Sequence, residues 1–277
     1  MRNDHAYLHR GFVFVGVVLL VIAQNAGCRK AHYAHFNHPD ADMLVIDLGN
    51  DLRFFRLSGT DVWFGTCEVE NSQFRTFRPE HDSGQYMGHN LNDDELPVVN
   101  VSFHDAHAYC RWLSKRYKAL LPKGFQVRVP RVAEWELAAQ CGTNEDYPLG
   151  RNLPPTSGNY ADQAFLKAFP QVPASHVYLP SSPLVRQYDD GFPVAIASQG
   201  VCTNTWGFRG LGGNVREWTS DIQAVDYGQR ATAIIKDLSW ATGGFADQYM
   251  IRSKFIAPQN ARSFDLGIRL VISSRQE

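Results

Sequence analysis

The sequence predicts a single α+β domain with little regular secondary structure, built from short strands and two main helices. Short apolar runs recur between turns, and two segments carry helical periodicity. The counts of 22 Gly, 14 Pro, six Trp and eleven Tyr describe a loop-rich chain held by aromatic anchors. From about Met43 the runs Met43 to Leu48, Leu52 to Leu57 and Val62 to Thr66 read as strands. The first helix starts at Ser102, whose hydroxyl can cap it while Asp105 closes a capping box. Ala106, Tyr109, Cys110, Leu113 and Tyr117 then share one face. The second follows Pro130 through Val132, Trp135, Leu137 and Ala138, but Arg131 at its cap position cannot accept a backbone N–H. From Gly142 to Gly213 the chain is rich in Gly, Pro, Asn and Asp without periodicity. So long an irregular stretch in a compact domain needs something to order it, and bound calcium is a candidate. Short strands return at Ala233 to Trp240 and Leu266 to Ile272, with no internal repeat and no linker after residue 42.

With 44% hydrophobic and 20% charged residues over 277 positions, the chain has the apolar material for a sizeable core, which excludes disorder for most of its length. Lys plus Arg is 27 and Asp plus Glu is 28, a net charge of −1. That balance supplies no basic footprint for nucleic acid and no bulk attraction to an anionic membrane. Arg2 and Arg10 precede an apolar run from Gly11 to Ile22 that is short for a membrane span, the shape of a bacterial export signal. Asn25-Ala26-Gly27-Cys28 resembles a lipobox, with Asn25 where an aliphatic residue is usual. Lipidation at Cys28, a cleaved secretion signal and an uncleaved anchor are the three readings, and each places the body outside the cytoplasm. The expected organisation is an export segment at 1–28, a tether at 29–42 bearing His32, His35 and His38, and one domain at 43–277, in a membrane-anchored lipoprotein of the cell envelope. Lipidation of Cys28 leaves four Cys in a disulfide-permissive compartment. Their pairing is open, and Cys110 within the helical pattern reads as a buried thiol.

Several motifs follow one another in a definite order: Cys67-Glu68-Val69-Glu70-Asn71-Ser72-Gln73-Phe74, then Pro97-Val98-Val99-Asn100-Val101-Ser102-Phe103-His104-Asp105-Ala106 with Tyr109-Cys110-Arg111-Trp112-Leu113. Arg128-Val129-Pro130-Arg131-Val132-Ala133-Glu134-Trp135-Glu136-Leu137-Ala138-Ala139 comes next. Gly158-Asn159-Tyr160-Ala161-Asp162, Asp190-Gly191-Phe192, Trp206-Gly207-Phe208, Gly213-Asn214-Val215-Arg216-Glu217-Trp218 and Gly267-Ile268-Arg269 complete the series. From about residue 60 to 272 the chain resembles the formylglycine-generating enzymes, or sulfatase-modifying factors. The resemblance implies a C-type-lectin-like domain of little regular secondary structure.

The resemblance also implies metal sites. One structural calcium site falls on Asn159, the carbonyl of Tyr160, Asp190 and the carbonyl of Phe192. A second falls on Glu68, Gly210, the carbonyls of Gly213 and Val215, and Glu217, with Gly210 standing where the family has Asn. Calcium suits such sites because it takes carboxylate, amide and carbonyl oxygens. The family oxidises a substrate Cys with copper held by two thiolates, because soft sulfur selects Cu(I). At the corresponding place this chain reads Ala241-Thr242-Gly243-Gly244-Phe245-Ala246-Asp247-Gln248, and Cys202 is its last Cys. Copper is therefore not expected, and no catalytic residue is assigned.

The surface the family uses as a substrate groove maps onto Ser239, Trp240, Asp247, Arg252, Arg262 and Arg269, a mixture suited to ligand or peptide recognition. The expectation is an exported, lipid-anchored member of the family without the copper pair, binding an unidentified protein or small ligand there. Two rivals stay open. One is a non-copper oxidoreductase or modification enzyme of the same fold, resembling relatives that modify sulfatases or mature a siderophore. The other is a display protein whose stretch Trp240 to Arg262 is diversified by a retroelement.

Overall fold

A computed structural model describes residues 45–155, 157–172, 183–223 and 231–275, all within the unit His35–Glu277. The expected export segment, Cys28 and the tether lie outside the described residues. Strands β1 (Val45–Asp47), β2 (Arg53–Arg56) and β3 (Val62–Gly65) form where the apolar runs predict them. They join β6 (Phe125–Arg128) and β11 (Val271–Ser274) in an antiparallel sheet of order β1-β2-β3-β11-β6. The last strand is thus inserted between early ones, with Val271 opposite both Phe64 and Arg128.

This sheet is covered on both faces. Successive side chains of a strand point to opposite faces. Phe54, Trp63, Val127 and Ile272 accordingly enter a core with Tyr109, Cys110 and Leu113 of α2 (Phe103–Arg116). Phe64 and Val271 enter another with Trp135, Ala138 and Ala139 of α3 (Val132–Gln140). Two buried faces explain why central β3, Val-Trp-Phe-Gly, is apolar throughout instead of alternating with polar residues. A second sheet, of order β10-β7-β8-β9, comprises β7 (Arg216–Gln223), β8 (Thr232–Lys236), β9 (Phe255–Pro258) and β10 (Leu266–Gly267), with β10 parallel to β7. Its Trp218 is fully buried in the α2 core and donates from Nε1 to the Val101 carbonyl at 2.9 Å.

Helix α2 starts as expected: the Ser102 hydroxyl accepts from Asp105 N at 3.2 Å, and Asp105 Oδ2 accepts from Ser102 N at 2.9 Å. Helix α3 obtains its cap from elsewhere. Asp221 Oδ2, on β7, accepts from Val132 N at 2.7 Å, and Glu134 Oε2 accepts from Arg131 N at 2.8 Å. Arg128 holds both Glu134 oxygens in a fork, at 2.7 and 2.6 Å. Two short helices are invisible to periodicity: α1 (Asn71–Arg75) and α4 (Gln163–Ala168). So is the hairpin of β4 (Gln85–Tyr86) and β5 (His89–Asn90). Through the irregular stretch, side-chain caps take the place of ladders. Asp162 Oδ1 caps α4 at Phe165 N, and Asn204 Oδ1 accepts from Trp206 N and Phe208 N.

Candidate functional site

After β8 the chain turns back on itself through residues 237–245 and enters a 3₁₀ turn, Ala246–Tyr249. Ser239 and Trp240, expected in an open groove, are instead fully buried. The Trp240 indole packs against Tyr86 at 5.2 Å, Phe264 at 5.6 Å and Phe165 at 6.1 Å, so its large apolar surface is spent inside. The Ser239 hydroxyl donates to Asp265 Oδ2 at 2.7 Å and lies 2.9 Å from the Thr242 hydroxyl. Asp265 is held in turn by Arg216 at 2.5 Å. A Cβ at Gly243 would come within 2.6 Å of Val185 Cγ2 and 2.9 Å of the Tyr249 hydroxyl, and one at Gly244 would overlap Gln248. Residues 241–248 carry no thiol, and a side chain at either of these two glycines would force its neighbours to move.

The remaining groove residues are exposed, and both arginines among them have partners. Asp247 sits on the 3₁₀ turn, Arg252 pairs with Asp146 at 3.1 Å, and Arg262 donates to the Asn100 carbonyl at 2.8 Å and pairs with Asp105 at 2.5 Å. Arg269, mapped to the same groove, is wholly buried. Phe245 is 53% exposed on this side of the fold, and the sequence reading missed it. The four cysteines within the described residues are unpaired. Burial pushes the Cys110 thiol up to about 12 and raises those of Cys67 and Cys141, which disfavours the thiolate a soft metal needs.

Two segments expected to share an ion are brought side by side. The Tyr188 hydroxyl donates to the Gly158 carbonyl at 2.8 Å, Gln163 N donates to the Tyr188 carbonyl at 2.9 Å, and Asp190 N donates to Asp162 Oδ2 at 2.5 Å. Asp190 Oδ1 accepts from Phe192 N at 2.8 Å. The Asn159 amide is oriented by Asn214, because its Nδ2 donates to Asn214 Oδ1 at 3.0 Å and its oxygen is left facing elsewhere. Asn159 Oδ1 and Asp190 Oδ2 are both buried acceptors without a donor. Buried acceptors are rarely left so, and a hard cation is a partner that fits them. Burial, with Asp162 alongside, raises the Asp190 carboxyl to about 7.

The second cluster is arranged differently. Glu217 and Arg269 are buried completely, and the guanidinium Nε reaches Glu217 Oε1 at 2.9 Å and Oε2 at 3.1 Å. Arg269 Nη2 lies 2.8 Å from Glu217 Oε1, and Trp135 Nε1 donates to Glu217 Oε2 at 2.7 Å. Both oxygens of this carboxylate are thereby engaged. Glu68 accepts from Asn214 Nδ2 at 3.0 Å and stands 3.7 Å from Arg269. A Cβ at Gly210 would overlap both Glu68 carboxylate oxygens. The residues predicted for a second calcium thus do not fit one: Glu217 is committed, and Glu68 fills the room where residue 210 would place its ligand. Burial raises the Glu68 carboxyl to about 7 against the pull of Arg269. Asn214, at φ 65°, belongs to both clusters, and sequence reasoning assigned it no role although it lies inside the quoted Gly213 to Trp218 motif. Gly213 and Val215, predicted through their carbonyls, flank it.

Residues 49–274 match the family described as the sulfatase-modifying factor enzyme 1-like domain. The formylglycine-generating enzyme of Mus musculus is 30% identical over 143 residues, covering 51% of this chain and 32% of that protein. The inactive C-alpha-formylglycine-generating enzyme 2 of Bos taurus is 30% identical over 181 residues, covering 63% of this chain and 50% of that protein. The chain therefore spans from about a third to half the length of these relatives. In structure it resembles Treponema denticola variable protein 1, with a TM-score of 0.52 and 18% identity over 82% of this chain and 90% of that one, a likeness of fold.

Proposed function

The chain belongs to the sulfatase-modifying factor enzyme 1-like family, and on that premise we propose that it is an exported, membrane-anchored member that recognises a protein or small-molecule ligand in place of copper-dependent cysteine oxidation. One observation carries this reading: where the family keeps its copper thiols, residues 241–248 hold no Cys, and Gly243 and Gly244 are packed against Val185, Tyr249 and Gln248. Hydroxyl and carboxylate oxygens are poor Cu(I) ligands, so Thr242 and Asp247 cannot replace sulfur. The match to an inactive relative supports the same reading.

Phe245, Asp247 and Arg252 supply an exposed aromatic, a carboxylate and a guanidinium within eight residues of one another, a combination that favours contact with a polar partner. Structural calcium is assigned to Asn159, the Tyr160 carbonyl, Asp190 and the Phe192 carbonyl, where it would cross-link the two segments. Anchoring is assigned to Cys28.

The test is metal analysis of the purified chain combined with incubation with Cu(I), oxygen and a cysteine-containing peptide. Calcium without stoichiometric copper, and an unmodified peptide, are expected. Copper at one ion per chain, or formylglycine in the peptide, would sink the reading, and conversion persisting in a parallel copper-free incubation would establish a copper-independent enzyme in its place.

A further inference from the structure

The cluster around Arg269 has the composition of a hard-cation site with the cation already in it. Five oxygen atoms accept from its guanidinium, both carboxylate oxygens of Glu217 and the carbonyls of Gly65 (3.2 Å), Arg209 (2.7 Å) and Gly210 (3.1 Å), while Glu68 Oε2 stands off at 3.7 Å without a donor. Carboxylates and backbone carbonyls are the ligands a calcium ion collects. A guanidinium takes them in a planar fork of N–H donors and cannot be deprotonated, so it serves as a fixed charge. Gly210 is the enabling change, because any side chain there would displace the Glu68 carboxylate. The Asn159–Asp190 cradle differs in its charge: its two undonated acceptors have no basic side chain paired with them among the described residues, whereas the undonated Glu68 Oε2 has Arg269 at 3.7 Å.

We infer that Arg269 is the permanent occupant of this chain's second cation position, so that calcium enters at the Asn159–Asp190 cradle and nowhere in the Glu68–Glu217 cluster. The first half of the inference stands on the cluster itself, whereas the second rests on the calcium reading proposed above. A physical consequence separates the two positions. Removing calcium loosens the segments around 158–163 and 188–192, whereas 65–69, 209–218 and 266–270 stay closed because their cation is part of the chain.

Two measurements on the intact chain test it. Hydrogen exchange with and without EDTA is expected to rise in the first two segments and to be unchanged in the other three. Faster exchange at 65–69 and 209–218 on chelation would overturn the inference. Calorimetric titration with calcium should give one ion for the wild type and none for Asp190→Asn, and a residual ion in that variant would also overturn it. Arg269→Gln should bind one ion more than the wild type, or fold only when calcium is present. If the wild type binds none and Arg269→Gln binds one, the internal cation stands and the calcium reading of the Asn159–Asp190 cradle fails. If Arg269→Gln binds no more than the wild type and folds equally well under chelation, the internal cation itself fails.

Discussion

Glu217 accepts from Arg269 and Trp135 in a site with no water access, so its charge is what keeps a buried guanidinium compatible with the core. Removing one partner of a buried pair strands the other, at a cost of about 3 to 5 kcal/mol. Glu217→Gln is expected to lower unfolding free energy by that amount in urea denaturation, and a loss under ~1 kcal/mol would show that Arg269 finds compensation elsewhere. Glu70 makes a different prediction. It is 6% exposed and has no basic partner among the described residues, and burial together with Asp51, Glu95 and Glu68 raises its carboxyl to about 7. Between an unfolded pKa of roughly 4.3 and that value, the folded chain holds the extra proton, so stability falls as pH rises across this window. The slope from this one group is at most about 1.4 kcal/mol per pH unit. Glu70→Gln should flatten the decline between pH 5 and 7, measured as denaturation midpoints, and an unchanged slope would assign it to Glu68 or Asp190 instead.

At the scale of elements, local signals succeed where the stabilising contacts are local. The Ser102–Asp105 box lies within one turn, and α2 starts there. Arg131 offers no cap from its side chain, yet α3 forms, because β7 brings Asp221 to Val132 N from 89 residues away. Asp221→Ala should therefore cost about 1 kcal/mol, the worth of a missing cap, seen as a lowered thermal unfolding midpoint, with no shift counting against the role. β7, the longest strand among the described residues at eight residues, escaped notice. Its Arg216, Glu217 and Trp218 are read as strand only once Arg216 meets Asp265, Glu217 meets Arg269 and Trp218 enters the α2 core. α1 and α4 have too few residues to show a period, and their caps at Glu70 and Asp162 become visible only in space.

For the whole molecule, family membership rests on residues 49–274, while anchoring is a property expected of the preceding segment. Cys28→Ser should move the protein from the membrane to the soluble fraction on cell fractionation, and retention at the membrane would favour an uncleaved anchor. Two faces of the five-stranded sheet are filled by α2 and α3, and Phe64 at the α3 face touches Phe208 at 5.2 Å. What the amino-acid order determined alone was the α+β class, the places of the early strands, the α2 cap, the family and the lack of thiols at residues 241–248, since each depends on residue type or on neighbours within a few positions. The tertiary structure decided which polar residues are buried together. It placed Trp240 and Ser239 inside, left Asn159 and Asp190 with unfilled oxygens, and closed Glu68 and Glu217 around Arg269. The reason is that burial and charge pairing depend on contacts such as Glu68 with Asn214, 146 positions apart, and separation along the chain carries no record of that distance.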